Sequence, residues 1–163
     1  MCTLIVCTDA SVRGNLYDDP ISGRPQRYKV GPATVACVAW AGYESSAVVL
    51  EMGVRLEGEF GPQRAEYEAV TVGLGQVLGY VTESQSSITT ALLLSDNETV
   101  VSTLIGRKGV SVLAPYRAQA RRLQGCLEHF GVEVQYEHVS RKDPRHKQAH
   151  QLADLAWRKP QGL

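Results

Sequence analysis

Apolar and polar positions fall in blocks along this chain, and the spacing within each block predicts its element. Residues 4–8 form a compact apolar run that reads as a buried strand, ending at the polar turn Asp9-Ala10-Ser11. Residues 14–31, which include Pro20, Gly23 and Pro25, read as a long surface excursion. Residues 33–41 and 46–56 are two runs rich in β-branched and small side chains, and Gly42-Tyr43-Glu44 between them predicts a hairpin. Gly61-Pro62 then breaks the pattern. From Gln63 onward Tyr67, Val70, Leu74, Val77, Leu78 and Val81 recur at steps of three and four, the spacing of an amphipathic helix.

Residues 88–94 form another buried strand, closed by Ser95-Asp96-Asn97, and residues 99–105 a short helix ended by Gly106. A helix over 116–130, stopped by Gly131, carries Arg117, Arg121 and Arg122, a row that fits either a phosphate-facing stripe or a solvated face. Residues 132–139 alternate as a last strand, 140–147 are charged and loop-like, and 149–157 close the chain as a helix striped by Ala149, Leu152, Ala153 and Ala156. This order predicts an α/β fold: a mixed five-stranded sheet, three antiparallel strands followed by two parallel ones, flanked by helices. A length of 163 residues suits one domain, residues 1–163, with an insertion at about 16–30.

Composition narrows the setting. The longest apolar runs, such as 35–41 and 91–94, are far shorter than the about 20 residues of a membrane helix, and the first residues lack an export pattern, so a cytoplasmic location and no membrane partner are expected. Cys2, Cys7, Cys37 and Cys126 are scattered without a Cys-x-x-Cys pair and read as reduced thiols. Trp40 and Trp157 read as core or edge packing. The formal net charge is zero, which argues against an architectural DNA-binding role resting on bulk charge. The total hides a split, however. Residues 1–104 carry 6 basic against 12 acidic side chains, and residues 105–163 carry 11 against 5, so a polyanion-facing surface can lie beside an acidic one.

Four acids fall where this layout gathers them at one end of the sheet: Asp9, Glu66, Asp96 and Asp154. Asp9 and Asp96 each follow an apolar strand run, which puts them at the carboxyl edge where open α/β sheets bind ligands. Glu66 shares the inward stripe of the long helix with Val70 from its first turn, whereas Glu68 points nearly the opposite way. Asp154 lies on the last helix, one turn after His150. Each has a plain structural alternative as a turn, cap or solvated residue. Together, four converging carboxylates repel unless cations intervene, and hard oxygen ligands suit Mg²⁺ or Mn²⁺. Two such ions are the equipment of phosphodiester hydrolysis, while Zn²⁺ would call for closely spaced His and Cys.

Thr8-Asp9-Ala10-Ser11 with Gly14-Asn15, then Arg64-Ala65-Glu66-Tyr67-Glu68-Ala69, then Ser95-Asp96-Asn97, then His150-Gln151-Leu152-Ala153-Asp154-Leu155-Ala156 together resemble the ribonuclease H family over nearly the whole chain. The resemblance implies a ribonuclease H-like fold and endonucleolytic hydrolysis of the RNA strand of an RNA/DNA hybrid, leaving 5′-phosphate and 3′-hydroxyl ends. It implies two Mg²⁺ or Mn²⁺ ions, with Asp9 bridging both, Glu66 and Asp96 holding the one nearer the attacking water, and Asp154 completing the other. Ser11, Asn15, Gln63, Asn97, Arg141 and His146 fall where the family touches substrate, the 2′-hydroxyls included.

Departures from the family pattern are specific. Pro62-Gln63-Arg64 stands where many members have Asn-Asn before the helix glutamate, and Glu98 where a Gln often follows the third acid. The family's Gly-His-rich loop is replaced by residues 140–147, in which His146 reads either as a proton-transfer or product-release residue or as a solvated loop histidine. His150 stands where an Asn usually precedes the last Asp by four, and reads either as a residue that orients Asp154 or touches a metal, or as a helix-surface histidine pairing with that acid. Two other readings share this layout: a structure-selective DNA nuclease resembling the junction resolvases, and a non-catalytic nucleic-acid-binding module. The oligomeric state is not encoded in any of these features.

Overall fold

A computed structural model describes residues 2–18, 27–45, 47–109 and 112–159. The strands are β1 (Cys2–Val12), β2 (Asn15–Asp18), β3 (Arg27–Ala41), β4 (Val48–Phe60), β5 (Ile88–Ser95) and β6 (Glu133–His138), and the helices α1 (Pro62–Ser84), α2 (Glu98–Leu104), α3 (Ala114–His129) and α4 (Pro144–Arg158). Five strands make the main sheet in the order β4-β3-β1-β5-β6, with β4, β3 and β1 antiparallel and β1, β5 and β6 parallel. This is the mixed sheet that the apolar blocks predict.

The two faces of β1 are divided by its alternation. Leu4 and Val6 join Tyr67, Val70, Leu74 and Val77 of α1 in one buried cluster, which also takes in Leu127 of α3 and Val100 of α2. Ile5 and Cys7 join Val38, Trp40, Leu92 and Leu94 in a second cluster capped by Ala149 of α4. One face of the sheet thus carries α1, α2 and α3, and the other carries α4. Both helices that matter for the site sit close to the sheet because the contact residues are small. A Cβ on Gly73 of α1 would lie 2.8 Å from the Thr8 methyl, and a Cβ on Gly53 of β4 would lie 2.9 Å from the carbonyl oxygen of Leu152 in α4. Ala149, Ala153 and Ala156 give α4 its buried stripe. Trp40 is buried, and the Trp157 ring is flanked by the guanidinium groups of Arg13 and Arg55 at 4.8 and 5.2 Å, so both tryptophans pack. All four cysteines are unpaired.

Three sequence expectations are corrected. The first strand does not stop at Thr8: β1 runs on to Val12 along β3, and only its parallel ladder with β5 ends earlier, at Cys7 and Leu94. The excursion at 16–30 is not a loop throughout. Residues 15–18 pair antiparallel with 27–30, extending the β1–β3 hairpin as a two-stranded arm, while residues 19–26 lie outside the described residues. The charged stretch 140–147 is not all loop either. The Asp143 carboxylate accepts the Arg145 amide as an N-cap, Pro144 takes the first turn, and α4 therefore starts five residues before the apolar stripe begins.

No helix among the described residues is long and apolar enough to cross a membrane.

Candidate active site

Asp9 continues the Ile5–Cys7 row of β1, two residues beyond the last pair with β5, and Asp96 directly follows Ser95 at the end of β5. Both carboxylates therefore stand at the carboxyl edge of the parallel strands. Glu66 reaches them from α1, in its second turn rather than its first because the helix opens at Pro62. Asp9, Ala10, Glu66, Asp96, Arg141, His146, Lys147 and His150 line one cleft of about 300 Å³. Glu68 is not among these residues.

Burial makes the group electrostatically demanding. Asp9 is 3% and Glu66 8% exposed, and Glu66 Oε2 finds no hydrogen-bond partner among the described residues. Burial first, then the neighbouring charges of Asp9 and Asp96, push the Glu66 carboxyl well above the ordinary carboxylic range, against a smaller pull from His146 and the Ala10 amide. Two cations answer part of this charge. His146 Nε2 sits 3.2 Å from Asp9 Oδ1 and 3.4 Å from Asp96 Oδ1, between the two carboxylates rather than in line with either. Those two contacts raise its imidazole from the ordinary 6.5 to about 10, so it is an imidazolium at neutral pH. Arg141 Nε lies 2.6 Å from Asp96 Oδ2. His146 and Arg141 together hold Asp96 down at about 2.

His146 is therefore neither on a loop nor solvated: it is a buried residue of α4, at the centre of the acidic group. One oxygen each from Asp9 and Asp96 and one His146 nitrogen lie within 4.8 Å of one another, close enough to share a divalent cation. The residues fit such an ion: hard oxygen donors converge at the sheet edge, and one buried carboxylate oxygen among them is left unmatched by any protein donor.

The remaining predicted residues divide. His150 Nδ1 lies 2.8 Å from Asp9 Oδ2, and its other ring nitrogen lies 3.6 Å from Asp154 Oδ2. Asp154 does not line the cleft. Its side chain is 44% exposed and borders a separate surface groove with Gln151, Leu155 and Arg158. Ser11 lines a recess beside the cleft with Lys29, Glu66 and Arg141. The Asn97 side-chain oxygen accepts the Val100 amide as the N-cap of α2. Gln63 is exposed in a groove with Arg64 and Tyr116, and the Asn15 side chain lies outside the described residues. Of the arginine row on α3, Arg121 donates to the Leu104 carbonyl at 3.2 Å.

Spacing arguments missed two contributors. Arg64, quoted only as part of a motif, is stacked between Phe60 and Tyr116 at 4.3 and 4.9 Å and donates to the Glu59 carbonyl at 3.0 Å, which ties the start of α1 to α3. His138 Nε2 meets the Asp96 carbonyl oxygen at 3.1 Å, bracing the turn that presents that carboxylate.

No family model and no curated protein sequence matches the chain. Solved structures do. The N-terminal RNase H domain of a Mycobacterium tuberculosis protein, solved as a fusion with maltose-binding protein, is 26% identical with a TM-score of 0.71, covering 96% of this chain and 94% of that one. RNase H1 from the halophilic archaeon Halobacterium salinarum is 22% identical with a TM-score of 0.69, covering 96% and 98%. LC11-RNase H1, isolated from compost by a metagenomic approach and solved in complex with an RNA/DNA hybrid, is 19% identical with a TM-score of 0.70, covering 94% and 95%.

Proposed function

We propose that this chain, whose fold is that of the RNase H structures it resembles, is a divalent-cation-dependent endonuclease of the ribonuclease H family that hydrolyses the RNA strand of RNA/DNA hybrids. The observation that carries the reading is the buried Glu66 carboxyl beside Asp9 and Asp96 at the carboxyl edge of the sheet, its Oε2 without a hydrogen-bond partner among the described residues. Three carboxylates in that position suit Mg²⁺ or Mn²⁺, two of which are taken as the working complement. When bound, such ions supply an activated water and stabilise the charge that builds on the scissile phosphate.

The chain's own groups do the rest. Asp9, held in β1 by its ladder with β3 just past the end of the ladder with β5, would fix the position of the cations relative to the sheet. Glu66 comes from the opposite helical layer and closes the group from the α1 side. Arg141, with 86% of its side chain exposed and its guanidinium at the rim, is placed to hold a backbone phosphate, and Lys147 lines the same cleft. Ser11 and Lys29 extend the rim toward the β2–β3 arm. The products of hydrolysis carry a 5′-phosphate and a 3′-hydroxyl.

The test is cleavage of a labelled hybrid by the wild type and by Asp9→Asn in Mg²⁺ and in Mn²⁺. Loss of a partner one bond further from a metal already costs about 10- to 100-fold, so Asp9→Asn should lose more than about 100-fold. Hybrid cleavage that survives this substitution overturns the reading. A double-stranded RNA and a four-way DNA junction are run beside the hybrid, and preference for either assigns the chain to that substrate instead.

A further inference from the structure

Asp9 presents its two oxygens to different surroundings. Oδ1 faces His146 and, beyond it, Asp96. Oδ2 meets the Nδ1 atom of His150, at 2.8 Å. A cation on the first side meets the carboxylates already described. A cation on the second side, bridged by the same Asp9, meets an imidazole. Asp154, the acid that the sequence motif offers for this second position, is on the wrong side of that imidazole.

The helix geometry explains the order. His146, His150 and Asp154 are spaced by four residues along α4, and each such step advances about 6 Å and rotates about 40°. His146 is consequently buried in the group, His150 is at the cleft wall, and Asp154 has turned out toward the groove with Gln151 and Arg158. The rotation of α4 is fixed by Ala149 and Ala153 against the sheet and by the close approach of Gly53 to Leu152. A direct bond from Asp154 to a cation on Asp9 would have to pass the His150 ring, which lies between them with one nitrogen on each carboxylate, at 2.8 and 3.6 Å.

Resting on the metal-dependent reading above, we propose that the second cation position is held by His150 Nδ1 together with Asp9 Oδ2, and that Asp154 is a positioning residue behind it. His150 Nε2 faces Asp154 Oδ2 at 3.6 Å, so with a cation on Nδ1 the proton would sit on Nε2 and the pair would form a carboxylate–histidine–metal arrangement, in which the outer carboxylate fixes the tautomer and orientation of the ligand. The donor set becomes three carboxylates and one imidazole. Replacing an oxygen donor by a nitrogen one favours Mn²⁺ over Mg²⁺ relative to an all-carboxylate site.

Pulsed electron paramagnetic resonance of Mn²⁺ bound to the protein alone, together with calorimetric Mn²⁺ titration, separates the two residues without reference to turnover. In a His146→Ala background, which removes the other imidazole of the cleft, His150→Ala should lose imidazole nitrogen coupling and weaken Mn²⁺ binding, whereas Asp154→Asn should keep the coupling with affinity lowered by about 10-fold. His150→Asp should raise the ratio of Mg²⁺- to Mn²⁺-supported hybrid cleavage. Unchanged nitrogen coupling and affinity in His150→Ala, or loss of the metal in Asp154→Asn alone, overturns the assignment. Asp9→Asn distinguishes the two levels: if it binds Mn²⁺ and cleaves hybrid as the wild type does, the metal-dependent reading itself fails. If it is inactive while binding follows Asp154, only the role given to His150 fails.

Discussion

Adding one methyl group at Gly53 and one at Gly79 should move stability in opposite directions, and only the first should disturb the site. Gly53 lies on β4 beneath α4, where a Cβ would come within 2.9 Å of the Leu152 carbonyl oxygen and 3.1 Å of its Cγ, against 3.4–4 Å for ordinary contact. α4 must therefore withdraw by at least 0.5 Å. Overpacking of this kind costs about 1–3 kcal/mol, and the lower backbone freedom of alanine in the unfolded chain returns about 0.4–1 kcal/mol. The net loss is at most about 2.6 kcal/mol and centres on about 1.3 kcal/mol, or about 3–5 °C in Tm for a chain of this size. A Cβ on Gly79, inside α1, meets nothing within 4 Å, so Gly79→Ala should gain about 0.5–1 kcal/mol from helix propensity. The retreat of α4 carries His146 and His150 away from Asp9, whose contacts with them are 3.2 and 2.8 Å, and sites of this kind work only within about 0.5 Å of their geometry. Urea unfolding and Mn²⁺ titration of the two variants check the argument. A Gly53→Ala protein as stable as the wild type, with unchanged Mn²⁺ affinity, would refute it.

Two further outcomes follow from the charges in the cleft. In the metal-free protein, the raised His146 stabilises the fold fully below pH 6.5 and loses that contribution as pH rises through about 10, and the raised Glu66 acts with the same sign from a lower starting point. Asp96, lowered from 3.8 to about 2, contributes above 3.8 and fades as pH falls through about 2. Thermal melts in a chelator should therefore be highest between about pH 4 and 6 and fall toward pH 9, with the increment from added Mg²⁺ growing over the same rise because metal binding expels protons. A metal-free melting temperature that rises from pH 6 to 9 contradicts this assignment. Affinity of the Asp154→Asn protein and the wild type for a non-cleavable hybrid should increase when Mg²⁺ is added. Fluorescence anisotropy reads the change, and equal binding with and without metal counts against a cation in the cleft.

Legibility along this chain tracked the reach of each constraint. Tyr67, Val70, Leu74 and Val77 lie on one buried stripe, so α1 and the inward direction of Glu66 could be read from spacing alone. Asp9 and Asp96 were legible because an apolar strand followed at once by an acid marks a sheet edge. The start of α4 was not legible from hydrophobic periodicity, since the inward residue of its first turn is His146, a polar side chain stabilised by Asp9 and Asp96 rather than by apolar neighbours. Its local signal was Asp143-Pro144, an N-cap followed by a proline in the first turn. The strand pairing of residues 15–18 depends on continuing a ladder fixed elsewhere, by β1 against β3. Which of His150 and Asp154 enters the cleft depends on the rotation of α4 about its axis, a tertiary quantity set at Gly53, and no spacing within the helix contains it.

The neutral total charge takes on a different meaning once the contacts are assigned. Asp9, Glu66 and Asp96 belong to the acidic first part of the chain, and the cations that meet them, His146 and Arg141, belong to the basic last part. The split in the sequence is thus folded into a single cleft, where protein cations occupy the positions that divalent ions would take. A metal ion approaching Asp96 competes with Arg141 for the same carboxylate, and one approaching between Asp9 and Asp96 competes with the His146 imidazolium. The released Arg141, already 86% exposed, then faces solvent beside the cleft, where a phosphate is the natural counter-charge. On the proposed function, metal and nucleic acid should therefore bind cooperatively through the same residues: each ion that satisfies a carboxylate would free a protein cation for the polyanion.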